Sequence, residues 1–285
     1  MNFIDLHTHS TFSDGTLSPT ALIQNAYKSG LSAIALTDHD TIGGLKEAKE
    51  ASKMLNIELI NGVEISVNLQ EEGLIGNDIH ILGLGFEKNN LICDTFKKLE
   101  IYRKNRNLAL IERFSEIGIN ITYQELLDAT AYNNITKAHF AQVIISKGYA
   151  SNFYEVFDKY FSNNSYTNIP KESLHPFKAI EIIHSGGGIA VLAHPLRYNF
   201  NDYDTLKLVK SLKKYGLDAL EVIYSTHSPS QEKYLKDIAK ELDLGISGGS
   251  DFHGDTKPGI NIGVGFGNLA IPETVWEKLN ERRQK

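Results

Sequence analysis

A chain of 285 residues, 41% hydrophobic and 22% charged, has an ordinary globular composition and is long enough for one large domain or two small ones around a real core. Its net charge of −6 excludes sequence-blind capture of long nucleic acid, which needs a basic surface, but leaves room for a local basic pocket. Cys93 is the single cysteine, which excludes an internal disulfide and a cysteine-ligated zinc cluster and fits a reducing compartment. The opening MNFIDLHTHS has no basic-then-apolar leader, and no apolar run would span a bilayer. A cytoplasmic protein with no membrane partner is expected.

In chain order, Phe3 to Leu6 reads as a short strand running into His7. Ser18-Pro19 reads as an N-cap with proline in the first turn of a helix whose apolar face is Ala21, Leu22, Ile23 and Ala26, ended by Gly30. Leu31 to Leu36 is a continuous apolar run, expected as a strand buried on both faces, that ends at Thr37-Asp38-His39-Asp40. A helix from Gly44 to Leu55 follows, then strand Ile57 to Ile60 leading to Glu64, and strand Asp78 to Leu84 carrying His80. From Asn89 to Phe161 the patterns are helical: Leu91 to Ile117, Gln124 to Ala129, Lys137 to Ser146 and Phe153 to Phe161. The βα rhythm then returns with helix Pro176 to His184, strand Ile189 to Ala193 ending at His194, helix Tyr203 to Tyr215, strand Ala219 to Ile223, helix Ser230 to Leu242, and strand Leu244 to Ser247 running into Gly248-Gly249-Ser250-Asp251-Phe252-His253. Gly186 to Gly188 lack the P-loop pattern and read as a tight helix-to-strand turn. The expected fold is α/β: an irregular (β/α) barrel of about seven strands with its site on the C-terminal face of the strands. An all-helical insertion at 89–172 divides it into 1–88 and 173–285.

Six of the ten histidines, His7, His9, His39, His80, His194 and His253, fall at strand ends or on a short strand, among the carboxylates Asp14, Asp38, Asp40, Glu64 and Asp251. Residues two apart on an extended segment point the same way, so His7 with His9, and Asp251 with His253, can chelate. One histidine at a strand end is ordinarily structural. Four such segments at strand C-termini together point to a metal cluster, and a mixed imidazole and carboxylate set suits zinc, iron or manganese better than calcium. Asp38 and Asp40 are read as fixing His39 and its turn, and His175, His184 and His227 as surface or packing residues. Arg103 and Arg106, three apart on one helix face, read from pattern alone as a solvated basic face.

The segments Asp5-Leu6-His7-Thr8-His9, Thr37-Asp38-His39-Asp40, Ala193-His194-Pro195 and Gly249-Ser250-Asp251-Phe252-His253 resemble the motifs of the PHP (polymerase and histidinol phosphatase) superfamily along essentially the whole chain. Asp78-Ile79-His80-Ile81-Leu82-Gly83, the helical insert and His194-Pro195-Leu196-Arg197-Tyr198 resemble the bacterial branch acting on nucleoside 3′,5′-bisphosphates, some members of which also trim short RNA from the 5′ end. The resemblance implies two or three divalent ions (Mn, Zn or Fe). The first would use His7, His9, Glu64 and Asp251, the second Glu64, His80 and His194, and the third Asp14, His39 and His253. Asp251, His194 and Asp14 are the expected catalytic residues. Asp251 would orient the attacking hydroxide, and His194, His39 or solvent would protonate the leaving oxygen. The insert would cap the site, with Arg103, Arg106, Lys137, His139 and Arg197 binding substrate. At Thr136-Lys137-Ala138-His139-Phe140-Ala141 this chain has lysine where the family usually has arginine, which keeps the charge but loses the bidentate fork.

The implied reaction is hydrolysis of the 3′-phosphate of a nucleoside 3′,5′-bisphosphate to a nucleoside 5′-monophosphate, with 5′–3′ exoribonuclease action on short 5′-phosphorylated RNA. No obligate protein partner is inferred. Three alternatives stand beside it. A phosphatase for another small ester, such as histidinol phosphate, would not need the insert and Arg197. A polymerase-proofreading domain would need more chain. A non-enzymatic metal-binding module would need only a closed four-ligand site.

Overall fold

The apolar run Leu31–Leu36 splits into two faces in the computed structural model of the chain, which describes residues 2–71, 74–130, 134–162, 165–167, 169 and 171–283. Ala33 and Ala35 join a central core with Ile4, Leu6, Ile60, Leu82, Leu84, Ile189, Val191 and Ala219. Ile34 and Leu36 join an outer core shared with the surrounding helices. Strand alternation turns one hydrophobic run into a barrel lumen and a barrel jacket. The strands are β1 (Phe3–Asp5), β2 (Leu31–Leu36), β3 (Glu58–Glu71), β4 (Leu74–Leu84), β5 (Ile189–Leu192), β6 (Ala219–Tyr224) and β7 (Gly245–Gly249), and they form one sheet in sequence order. Leu6 N–H donates to the Gly248 carbonyl and Asp251 N–H to the His7 carbonyl, so the first and last strands meet and the seven-stranded barrel nearly closes.

Helices α1 (Pro19–Lys28) and α2 (Leu45–Leu55) follow β1 and β2. Ser18 caps α1, its side chain accepting from Ala21 N–H. The next connection departs from the expected βα rhythm. β3 runs on past Glu64, with Val63, Ile65, Val67 and Leu69 keeping the alternation, and pairs antiparallel with β4, which pairs antiparallel with β5. Every other neighbouring pair is parallel. An apolar alternation reveals a strand's faces but not its direction, so the reversal of β4 is not visible in sequence.

Between β4 and β5 lie α3 (Asn90–Glu116), α4 (Tyr123–Asp128), α5 (Lys137–Ser146), α6 (Phe153–Phe161) and α7 (Pro176–Ser185). The first turns of α3 pack Ile92, Phe96 and Leu99 into the outer core of the barrel. Its last turns pack Leu110 and Phe114 into a separate cluster with Leu126, Phe140, Ile144, Val156 and Phe161. The long helix thus carries the helical segment rigidly from the barrel wall. Helices α8 (Asp202–Lys214) and α9 (Pro229–Glu241) complete the jacket. A tenth helix, α10 (Thr274–Arg283), was not expected, because only Trp276 and Leu279 are buried in it and the pattern is sparse. Those two side chains join Ile271 in the central core. Among the described residues no helix is long and apolar enough to cross a membrane.

Candidate metal centre

On the strand faces that line the central core, alternation brings polar residues to the upper end. The face bearing Ile60 bears Glu64, that bearing Leu82 and Leu84 bears His80, and that bearing Ala219 bears Glu221. The loops above add the rest. Thr8 N–H and Thr37 Oγ1 meet at 3.1 Å, joining the first two motifs. Asp38 accepts from Ser10 N–H, Ser10 Oγ and Ser13 Oγ at 2.6–2.8 Å and so fixes the turn after His9. Asp5 accepts from His7, Ser250 and Gly263 N–H, binding the first motif to the last. Gly249 is needed at the seam, where a Cβ would collide with His7. Asp40, Asp78, His194 and Asp251 all hold positive φ, at 51°, 56°, 28° and 58°. Such strain persists only where surrounding bonds enforce it.

The structure brings all nine expected ligands together. His7 Nε2 and His9 Nε2 are 3.1 Å apart. Asp251 Oδ1 lies 3.5 and 3.4 Å from them and Glu64 Oε2 3.3 and 3.1 Å. Glu64 Oε1 faces His80 Nδ1 at 2.8 Å and His194 Nε2 at 3.0 Å. Asp14 Oδ1 lies 3.2 Å from His253 Nε2, and Asp14 Oδ2 3.8 Å from His39 Nε2. Four overlapping groups could each hold an ion: His9, Asp14, His39 and His253; His7, His9 and Asp251; His7, Glu64 and His194; His39, Glu64 and His80.

The donor atoms fit divalent metal on their own evidence. Buried Asp14 Oδ1, Glu64 Oε2, His39 Nδ1, His80 Nδ1 and His253 Nε2 have no hydrogen-bond partner among the described residues, although each lies close to other atoms of the cluster. Donor atoms crowded together without good hydrogen-bond geometry between them are the arrangement a divalent cation satisfies. Outer contacts fix the imidazoles for that purpose. His253 Nδ1 sits 2.8 Å from the Asp251 carbonyl oxygen, which only accepts, so Nδ1 carries the proton and Nε2 offers its lone pair. His7 Nδ1 likewise donates to Glu221 Oε1 at 2.8 Å.

Asp251 divides its carboxylate. Oδ1 faces the cluster, while Oδ2 accepts from Tyr224 OH at 2.6 Å, Lys257 Nζ at 2.6 Å and Arg197 Nη1 at 3.4 Å. Arg197 also donates to Tyr224 OH. Asp40 accepts from Ser66 N–H and meets the cations Lys171 and Arg103. Arg103 additionally bonds Asn134, whose amide reaches the Phe12 carbonyl. The helical segment is thereby pinned to the first loop of the site. Arg106 Nε donates to the Ile169 carbonyl, and Lys137 Nζ lies 5.2 Å above the Phe161 ring. Burial, then the charge of Arg103, lowers the pKa of Arg106. Burial, then the charges of Arg106 and Lys171, lowers that of Lys137. Asp78 offsets part of this mutual repulsion, and a bound anion would offset more. His139 Nδ1 accepts from Thr136 N–H in a capping box at the start of α5.

Sequence reasoning missed Asp5, Glu221, Tyr224, Lys257 and Lys171. Glu221 and Asp5 each left a signal, as carboxylates within the apolar strands Ala219–Tyr224 and Phe3–Asp5, since a buried charge needs partners. Outside the site, His175 caps α7, His184 bonds Asp218, His227 bonds the Val222 carbonyl, and Cys93 is exposed on α3.

Burial alone would raise the carboxylates of Glu64, Asp14 and Asp251, yet the surrounding imidazoles hold all three well below the usual range. Burial disfavours charge on His9, but Asp251 and Glu64 override it and raise its pKa to about 9. Glu64 and Asp78 raise His80 to about 9 against the same burial. His39 is pushed down to about 3 by burial. A sign follows for protein stripped of metal. A histidine raised from 6.5 to about 9 on folding stabilises fully below its unfolded pKa and loses that contribution as pH rises through the folded one. The Tm of chelator-stripped protein is therefore expected to fall between pH 6.5 and 9. Metal-loaded protein, whose ligating imidazoles carry no proton on the metal-bound nitrogen, should not show that fall. Calorimetry with and without chelator measures it, and a stripped protein with a flat profile would contradict the assignment.

A barrel that gathers imidazoles and carboxylates at one mouth, with room for divalent metal, is built for metal-assisted hydrolysis. Residues 5–237 match the PHP domain family, and the chain belongs to it. It is 39% identical over 279 residues to the 5′-3′ exoribonuclease of Haemophilus influenzae, covering 96% of this chain and 98% of that one. It is 30% identical over 281 residues to the 3′,5′-nucleoside bisphosphate phosphatase of Chromobacterium violaceum, covering 98% and 97%. A solved Bifidobacterium adolescentis structure, assigned as a metal-dependent phosphoesterase, superposes with a TM-score of 0.81 at 30% identity, covering 99% of this chain and 96% of that one.

Proposed function

We propose that this PHP phosphoesterase removes the 3′-phosphate of nucleoside 3′,5′-bisphosphates, giving a nucleoside 5′-monophosphate and phosphate, and also shortens 5′-phosphorylated RNA from its 5′ end. The observation that carries the reading is the pair of half-buried cations Arg106 and Lys137 between β4 and β5, outside the nine-ligand cluster, with Asp78 as their nearby carboxylate and Lys171 beside them on Asp40. A substrate with one phosphate on the metals needs no such group, whereas one with two phosphates does. Residues 89–172 then act as a substrate cap on a barrel formed by 1–88 and 173–285.

The site would hold two or three ions of Mn, Zn or Fe. His7, His9, Glu64 and Asp251 would hold the first, Glu64, His80 and His194 the second, and Asp14, His39 and His253 the third. When bound, such ions make hydroxide available near neutral pH and offset charge on phosphoryl oxygens. Asp251, immobilised through Oδ2 by Tyr224 and Lys257, presents Oδ1 to orient the attacking oxygen. Arg197 reaches the same carboxylate and is placed to hold a phosphoryl oxygen of the reacting group. The leaving oxygen takes its proton from His194, His39 or solvent. With the 5′-phosphate on the insert, the bond within near-attack distance is the one to the 3′-phosphate. The names of the two relatives, an exoribonuclease and a bisphosphate phosphatase, support this pairing of activities.

Chromatography of the products from adenosine 3′,5′-bisphosphate, run beside histidinol phosphate, tests the proposal. Adenosine 5′-monophosphate is the expected product. Accumulation of adenosine 3′-monophosphate would reverse the binding direction, and faster release from histidinol phosphate would replace the substrate class.

A further inference from the structure

Glu221 is wholly buried on β6 and touches no substrate-facing surface. Its two oxygens are used separately. Oε1 accepts from His7 Nδ1 at 2.8 Å, and Oε2 accepts from the backbone N–H of His194 at 2.7 Å. The first contact fixes which nitrogen of His7 keeps its proton and turns the Nε2 lone pair toward His9, Glu64 and Asp251. The second holds the backbone of His194 at φ 28°, ψ 59°, a conformation a non-glycine residue does not keep unaided. That backbone sets where the His194 ring meets Glu64 Oε1.

From this geometry we infer that Glu221 is a positioning residue that couples the two metal positions sharing Glu64, acting on one through the His7 ring and on the other through the His194 main chain. The inference rests on the metal-centre reading above. The chemistry requires a carboxylate in this place. Both partners are donors, and a carboxylate offers each an oxygen. The amide of a glutamine offers only one acceptor. If its oxygen serves His7, its NH2 faces the His194 N–H, donor against donor. If its oxygen serves His194, its NH2 faces His7 Nδ1, which must then accept and leave the proton on Nε2, where the metal should bind. The group formed by His9, Asp14, His39 and His253 has no contact with Glu221 and should be spared.

Glu221→Gln and Glu221→Asp, each purified with manganese, provide the test. Bound metal per chain is measured by elemental analysis, and affinity by competition with a chromophoric chelator. Outer partners of metal-binding histidines typically contribute about tenfold to a hundredfold in affinity. Glu221→Gln is expected to lose that factor at the positions that share Glu64 while keeping the ion at Asp14, His39 and His253. Glu221→Asp keeps two acceptors and is expected to retain more metal than the glutamine variant. Wild-type stoichiometry and affinity in Glu221→Gln overturn the inference, as does uniform weakening at every position in both variants. A wild-type protein that binds no metal instead overturns the metal-centre reading itself. Should Glu221→Gln fail to fold, the aspartate variant decides: weakening confined to the positions sharing Glu64 supports the coupling, and unchanged affinity rejects it.

Discussion

Asp251→Asn is expected to reduce turnover by about a hundredfold to a thousandfold or more, the scale on which a preorganised charge at a reacting centre acts. The substitution changes one atom and no volume, so the loss must come from charge and hydrogen-bond polarity. Oδ2 accepts from Tyr224, Lys257 and Arg197, three donors that an amide nitrogen cannot satisfy. Turning the amide places its NH2 instead at the Oδ1 position, 3.5 and 3.4 Å from the Nε2 atoms of His7 and His9, where a second donor excludes a cation. Either orientation damages the site, and removal of metal by chelator should give a comparable loss in the wild type. His9→Ala, which removes a ligand shared by two candidate groups, should be as severe. The decisive measurement pairs kcat with bound metal and far-ultraviolet circular dichroism. Loss of activity with helices α3 to α6 intact is the expected result, and an Asp251→Asn enzyme with near-normal kcat would take Asp251 out of the chemistry.

The residues tested there were legible in sequence for a physical reason. Candidate ligands that follow a buried strand stand out, because an apolar run such as Leu31–Leu36 ends abruptly in Thr37-Asp38-His39-Asp40, and chelation needs pairs like His7 and His9 on one side of an extended segment. Helices α3 to α6 were legible because their apolar spacing is helical, and the structure adds the caps Asn89, Thr122 and Asn152. What supports the ligands was not legible. Tyr224 and Lys257 act on Asp251 through contacts that no local pattern encodes, and Lys171 reaches Asp40 from the chain between α6 and α7. Glu221 lies 214 residues from His7, so only the closed barrel shows that the two meet. The direction of β4 was hidden for the opposite reason: its alternation is clear, but alternation is the same read either way. Arg197 and Arg103 were grouped with Arg106 by charge, whereas the structure separates them by contact. Arg197 rests on Asp251 and Tyr224, and Arg103 ties the insert to Asp40 and Asn134.

That separation turns one expectation about basic residues into three different ones. Arg106 and Lys137 should act on the phosphate that does not react. Arg106→Ala and Lys137→Ala are each expected to lower kcat/KM on adenosine 3′,5′-bisphosphate by about tenfold to a hundredfold, since one charge-assisted contact is worth about 1.5–3 kcal/mol. The same variants should change little on an aryl phosphate, which has no second phosphate to hold. Arg197→Ala should lower activity on both substrates, because its contact with Asp251 places it at the reacting group. Arg103→Ala should also affect both, with a lower Tm, because Asp40 loses one of its two cations and the insert loses an anchor. Lys137 in place of arginine predicts a looser grip than a fork would give, so Lys137→Arg is expected to lower KM for the bisphosphate without raising kcat. RNA follows the same rule. A short oligonucleotide with a 5′-hydroxyl forfeits the contact that Arg106 and Lys137 make, and should be cleaved more slowly than its 5′-phosphorylated form by about the factor the alanine variants lose. In those variants the preference for a 5′-phosphate should largely disappear, because the group it was meant to bind is gone. A preference that survives the double variant Arg106→Ala, Lys137→Ala would place the 5′-phosphate elsewhere, and equal losses on bisphosphate and aryl phosphate would show that these side chains serve folding or the chemical step instead.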